Sequence, residues 1–231
     1  MSERPFLPTF LLILTVAGFG QQPSPAPSAT PTPDLKTVLA EMDEAGKRFK
    51  TAQADFKWET YTAVTKDTDE QTGQIFSRRK DGRQELAIRI LTPHPKQGLI
   101  KGDKAIIYDP KINQTTERKI GDKADAESVM NMASAFGIKG QDLLEDYDVK
   151  LIGWEKVDGI NTAKLELVPR KESVKRLVSK VILWVDLKRD VAVQQQRFDH
   201  DDYQLAHYTN IKLDGKISDD VFSIKKRGSG E

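Results

Sequence analysis

Through most of the chain, apolar and polar residues alternate one by one, as in a strand buried on one side. In "ADFKWETYTAV" Phe56 and Trp58 fall on one face, with Lys57 and Glu59 on the other. "TGQIFSRRK" runs into "KDGR", a hairpin signal, and "QELAIRIL" sets Leu86, Ile88 and Ile90 against Arg89. "PHPKQGLIKGDKAIIYDP" predicts two strands about the turn Lys101-Gly102-Asp103, and "NQTTERKI" a polar strand ending at Gly121. Later segments repeat the pattern: "DVKLIGWEKV", the turn Asp158-Gly159, "INTAKLELVP", "LVSKVILWVDL", "DVAVQQQRF", "YQLAHYTNIKL" and "DVFSIKK". Turn residues at short, regular intervals predict an antiparallel meander. No strand–helix–strand alternation points to a parallel nucleotide-binding sheet.

Two stretches depart from the period of two. Leu35, Val38, Leu39, Met42 and Phe49 recur at helical spacing after Asp34, a fitting N-cap that follows Pro33. The second stretch, about residues 122–147, carries Val129, Met130, Met132 and Phe136 within "SVMNMASAFGI". It reads either as a core helix or as a lid. Methionine adapts to varied apolar partners, and Gly121, Gly137 and Gly140 permit hinge-like backbone changes, so the lid is the expectation.

A long antiparallel sheet must curl, close or split. The expected fold is therefore mainly β: an incomplete antiparallel barrel, or strongly curved sheet, with an N-terminal helix and a helical lid over an apolar concave face. Phe56, Trp58, Phe76, Leu86, Ile88, Ile90, Ile106, Tyr108, Leu165, Leu167, Leu183 and Val185 are the expected lining. A register slip of one residue would reverse any of these assignments.

The ends set the setting. Residues 1–20, with Arg4 before "FLPTFLLILTVAGFG", have the layout of a cleaved signal peptide, too short and interrupted by Pro8 to span a bilayer. Residues 21–33, "QQPSPAPSATPTP", form an expected flexible linker. Residues 34–231 are the expected single domain. The chain has no cysteine, hence no thiol for a lipid anchor, and a soluble periplasmic monomer is expected. With 36 Lys and Arg against 35 Asp and Glu, nothing argues for a nucleic-acid partner.

Catalytic signals are sparse. No nucleophile elbow, phosphate loop or dinucleotide motif occurs. His200 with Asp199, Asp201 and Asp202 offers metal-ligand chemistry on paper, yet Asp-rich turns are common. Asp219/Asp220 and Asp67/Asp69/Glu70 also fall in expected turns. The reading is a non-enzyme without metal or cofactor, with a secreted hydrolase at His200 as the weaker alternative.

The successive pieces "LKTVLAEMDEAGKRF", "ADFKWET", "GQIFSRR", "DGRQELAIRILTP", "LIKGDKAIIYDPKINQTTERKI" and "LWVDLKRDVAVQQQRFDHDDYQLAHYTNIKL" resemble, in order, the LolA/LolB superfamily of periplasmic lipoprotein carriers. The resemblance implies an open barrel whose apolar interior receives acyl chains of lipoproteins. It implies an inner-membrane exporter and an outer-membrane acceptor as partners, and the missing cysteine favours the soluble branch. Gly73, Phe76, Arg78 and Arg79 fit that branch's pattern, so the resemblance implies that Arg79 latches the lid and aids transfer. Lys80 stands where proline is usual, and the ending "FSIKKRGSG" is reduced. Another lipid, such as a glycolipid or polyisoprenoid, or an envelope-stress sensor, uses the same features equally well.

Overall fold

The computed structural model describes residues 33–101, 104–119, 136–176, 178–189 and 191–226. The chain divides between Thr32 and Pro33, and the sheet belongs to the second unit. Eleven strands form one antiparallel sheet: β1 Thr51–Thr62, β2 Asp67–Lys80, β3 Arg83–Thr92, β4 Lys96–Lys101, β5 Lys104–Asp109, β6 Gln114–Lys119, β7 Tyr147–Val157, β8 Ile160–Pro169, β9 Lys180–Asp186, β10 Val191–Asp199 and β11 Asp202–Leu213. Their order is β6-β5-β4-β3-β2-β1-β11-β10-β9-β8-β7, so β6 and β7 are edges and the sheet does not close.

The turns form where the sequence supplies residues that accept positive φ. Asp81 (φ 51) with Gly82 (φ 75), and Asp158 (φ 49) with Gly159 (φ 78), make the two-residue turns whose twist matches an antiparallel hairpin. The helix α1, Leu35–Arg48, starts where Asp34 Oδ1 accepts from the Thr37 amide at 2.9 Å and its hydroxyl at 2.8 Å. Lys47 and Arg48 in its last turn suit the negative end of the helix dipole. Its buried stripe of Val38, Leu39 and Met42 packs on Leu165, Leu167, Leu183 and Val185.

Pairing sorts the side chains into two faces. Ala54, Ile75, Ile88 and Gly98 stand side by side across β1 to β4, as do Ala52, Ser77, Leu86 and Ile100. In the other direction Trp58 meets Ala206, Gln195, Leu183 and Leu165. This is the helix face, because α1 packs on it. Gln53, Phe76, Ala87, Leu99 and Ile106 form a row on the opposite face. Register shifts at Gln53/Asp55, Thr72/Gly73, Leu151/Gly153 and Ala192/Gln194 add local bend and twist.

One expected strand does not form. "DVFSIKK" is not a strand: Asp219–Phe222 is a 3-10 turn, and Ile217, Val221, Phe222 and Ile224 pack on Phe76, Ala87, Leu99 and Ile106. The preceding strand β11 is paired on both sides, by β1 and β10, so the chain leaves it beside no free edge and crosses a face instead. That face is called the tail face below. Of the expected lid, Gly140–Asp146 is helical (α2). Val129, Met130, Met132 and Gly121 lie outside the described residues. A short helix α3, Glu172–Lys175, joins β8 to β9.

Candidate functional site

The helix face gathers its aromatic residues at one place. Phe56 and Trp58, two apart on β1, stack at 4.2 Å between ring centroids. Tyr208, opposite Phe56 on β11, meets the Phe136 ring edge-on at 5.4 Å. Phe136 is only 1% exposed, so this ring fills the middle of the apolar face. Burial pushes the Tyr208 hydroxyl upward in pKa, which keeps it neutral.

The segment around Phe136 is held by backbone contacts. Gln84 Nε2 donates to the Phe136 carbonyl at 3.1 Å and to Ser77 Oγ at 2.9 Å. Gly137 has φ +74, and a methyl there would lie 2.6 Å from the Phe49 ring. At Gly140 a methyl would lie 2.4 Å from the Leu39 carbonyl oxygen, so glycine lets α2 approach α1. Asp43 of α1 accepts from the Gln141 amide at 2.9 Å. Gly137 and Gly140, expected as hinges, are close-packing glycines in this arrangement. Beside them lies a cavity of about 420 Å³, lined among others by Arg79, Gln84, Lys139, Leu143 and Tyr147.

Arg79 points onto the helix face and donates from Nη1 to the Gly46 carbonyl at 2.6 Å, with its guanidinium 5.8 Å from the Phe49 ring centroid. Its amide donates to the Lys50 carbonyl at 2.8 Å. Among the described residues it therefore grips the C-terminal end of α1 rather than α2. A cation suits that end of a helix.

Of the expected lining, Phe56, Trp58, Leu86, Ile88 and Phe136 come together in one cluster with Ile90 packed against it. Leu165, Leu167, Leu183 and Val185 share the face but form the cluster under α1. Phe76, Ile106 and Tyr108 are corrected: they stand on the tail face. Pairing decides this, since Phe76 sits opposite Gln53 and Ala87, and Ile106 opposite Leu99. Tyr108, opposite Gln97, points with them and bonds through its hydroxyl to Asn113 at 3.0 Å.

Sequence reasoning gave Arg78 no role of its own and passed over Gln84, Ser77 and Tyr208. Arg78, one residue before Arg79, points to the tail face. Its Nε donates to Glu85 Oε2 at 2.6 Å, its Nη1 bonds Asp219, and its guanidinium lies 4.0 Å from the Phe222 ring centroid. Gln97 completes the attachment: its amide donates to the Lys225 carbonyl at 3.1 Å and accepts from the Lys225 amide at 3.0 Å. The signal was present in strand alternation, which must send consecutive arginines to opposite faces.

His200 sits in the β10–β11 turn at φ 54, 77% exposed in its side chain, with Nδ1 2.9 Å from Asp199 Oδ1. Among the described residues, no group of three or more His, Asp or Glu side chains is placed to hold a metal ion. None of the described helices is long and apolar enough to cross a membrane.

A family model described as "-like: Uncharacterized protein" matches residues 82–213. The chain belongs to that family. No curated protein matches it. Solved structures share its fold at low identity. MucB matches at a TM-score of 0.55 and 15% identity over 83% of this chain and 62% of its own. The Pseudomonas aeruginosa MucA/MucB complex matches at 0.53 and 14% identity, over 83% of this chain and 61% of its counterpart. This family member thus spans less than two thirds of the MucB chain. A conserved Thermus thermophilus protein gives 0.53 and 11% identity, over 84% of this chain and 94% of its own. A LolA superfamily protein from Nitrosomonas europaea gives 0.41 and 16% identity, over 84% and 99%. What the chain shares with MucB and the Thermus protein is the fold, here an open antiparallel sheet.

Proposed function

We propose that this protein is a periplasmic carrier that binds the acyl chains of lipoproteins on its helix face and takes them toward the outer membrane. The single observation behind the reading is the filled apolar centre. Phe136, from a segment outside the sheet, occupies the middle of an aromatic and aliphatic face, as an acyl chain would once that segment withdrew. An exposed chain in water costs about 0.8 kcal/mol per methylene, so a diffusing carrier must bury it. Release requires two states of different affinity, and the contacts of Phe136, Gly137 and Gln84 supply the closed one. Residues 1–20 act as a cleaved signal and residues 21–33 as a spacer in this reading. An exporter and an acceptor are the partners it requires.

A second reading has its own support. MucB, which shares the fold above a TM-score of 0.5, is also found in complex with MucA. On the same scaffold, the helix face would bind a free lipid and change the grip on a partner protein. Native mass spectrometry of the protein purified from its own periplasm separates the two. A bound acylated lipoprotein is the expected result. A free lipid moves the function to sensing or lipid transport, and no bound lipid of either kind under any loading condition overturns both.

A further inference from the structure

The tail face carries a second hollow, remote in chemistry from the apolar site. It opens at the bulge where β1 meets β11: Gln53 pairs Lys212 and Asp55 pairs Thr209, so β11 spends an extra residue there. Asn210 takes φ 51 to make the bulge. The broken ladder leaves a cavity of about 350 Å³ lined by Gln53, Asp55, Gln74, Asn210 and Lys212 over Phe76. Asp55 organises it, accepting from Gln74 Nε2 at 3.1 Å on one oxygen and from Asn210 Nδ2 at 2.7 Å on the other.

That arrangement selects a ligand class. Each carboxamide directs its N–H at Asp55 and so turns its carbonyl oxygen away, toward acceptance from a ligand. Asp55 keeps further lone pairs, and the Lys212 ammonium supplies a donor. Asn210 and Gln74 hold the Asp55 carboxyl below the usual carboxylate range, so one negative and one positive charge balance. A hard cation is poorly served, because it takes about six to eight oxygen ligands and the hollow has one carboxylate. A hydroxyl-rich, uncharged ring matches better. Each hydroxyl both donates and accepts, the size lies within the range of small-ligand sites, and Phe76 offers an apolar floor.

We propose that this hollow is a subsite for a neutral sugar, built by the β1–β11 bulge and separate from the helix-face site. The test is titration of the full chain with glucose, galactose and N-acetylglucosamine, followed by the backbone amide NMR signals of residues 53–55, 74 and 209–212. At least one sugar is expected to give saturable shifts confined to those signals, with millimolar affinity. Asp55→Asn should weaken binding about tenfold, the loss of one charge-assisted hydrogen bond. Lys212→Ala, on the exposed rim, should weaken it several-fold with the spectrum otherwise unchanged, which guards against misfolding of the Asp55 variant. Acyl-probe binding should be the same in all three proteins, so failure of the carrier reading is scored separately. A glycolipid bearing the responding sugar distinguishes sources: added shifts at Phe136 indicate a lipid-borne sugar, and shifts confined to the hollow indicate a free or polymeric glycan. No saturable shift with any sugar, or equal binding by the Lys212 variant, overturns the proposal.

Discussion

Arg78 and Arg79 are neighbours on one strand, and they secure opposite faces by different means. Arg78 is 11% exposed in its side chain and sits between Glu85, 7% exposed, and Asp219 of the tail. Arg79 is half-buried and contacts a helix carbonyl and the edge of an apolar cluster. The tail is thus held by an ionic clamp added to its apolar packing, the helix-face elements by apolar packing with hydrogen bonds to backbone groups. A fixed ionic clamp suits a segment that stays in place. The carrier reading requires the segment around Phe136, held by apolar packing and the Gln84 bond, to leave and return.

The largest effect is expected from breaking the clamp on one side. Among the described residues, Arg78→Ala leaves buried Glu85 with Lys101 at 3.6 Å as its remaining ion-pair partner, and should cost about 3–5 kcal/mol in urea unfolding. Replacing Arg78 and Glu85 together by Met and Leu should recover most of that. If the single variant unfolds like the parent, the clamp does not hold the face.

Phe136→Ala comes next on the helix face. Loss of a fully buried ring costs about 3–5 kcal/mol, towards the lower end where neighbours relax. The same variant should bind an apolar fluorescent probe more tightly than the parent, because an apolar cavity lacking its own side chain accepts a guest. Equal probe binding would mean that Phe136 does not occupy the ligand's place.

Gly137→Ala should cost about 1–3 kcal/mol through overpacking against Phe49, and it should loosen the segment beside it, read as faster amide exchange around residue 138. Arg79→Leu should change stability by less than about 1.5 kcal/mol, since one half-buried hydrogen bond is lost. The carrier reading expects it to load normally and transfer poorly; normal transfer would remove Arg79 from the mechanism.

Acid should separate the faces with the smallest perturbation. Asp219 is held below the usual range by Arg78, and Asp220 is lowered to about 2 by Ser218 and Lys225. A carboxylate depressed in the folded state contributes above its unfolded pKa and loses that contribution as pH falls through the folded value. Between about pH 4 and pH 2, NMR signals of Phe222 should therefore shift before those of Phe136. Simultaneous change would mean that the tail is not held by these charges.

Much of the architecture was readable from short-range pattern. The hairpins at Asp81-Gly82 and Asp158-Gly159, the cap at Asp34 and the polar strand β6 each depend on residues within a few positions of one another. The helix-face group of Phe56, Trp58, Leu86 and Ile88 was readable for the same reason, because consecutive hairpins carry their parity along. Phe76 was misplaced because "GQIFSRR" offers apolar residues to both faces, Ile75 to one and Phe76 to the other. Only pairing with Ala54 and Ile88 shows which side Ile75 takes.

By itself, then, the sequence determined the strands, their turns, the first helix and the open antiparallel class, since these follow from local backbone preference and period. Tertiary structure alone decided that the final segment crosses a face, that Gly137 and Gly140 serve close packing, and that adjacent arginines hold different elements. Those outcomes depend on which strands become neighbours across the sheet. Alternation defines two sets of side chains on each strand, but only packing against α1 and the tail decides which set each one covers.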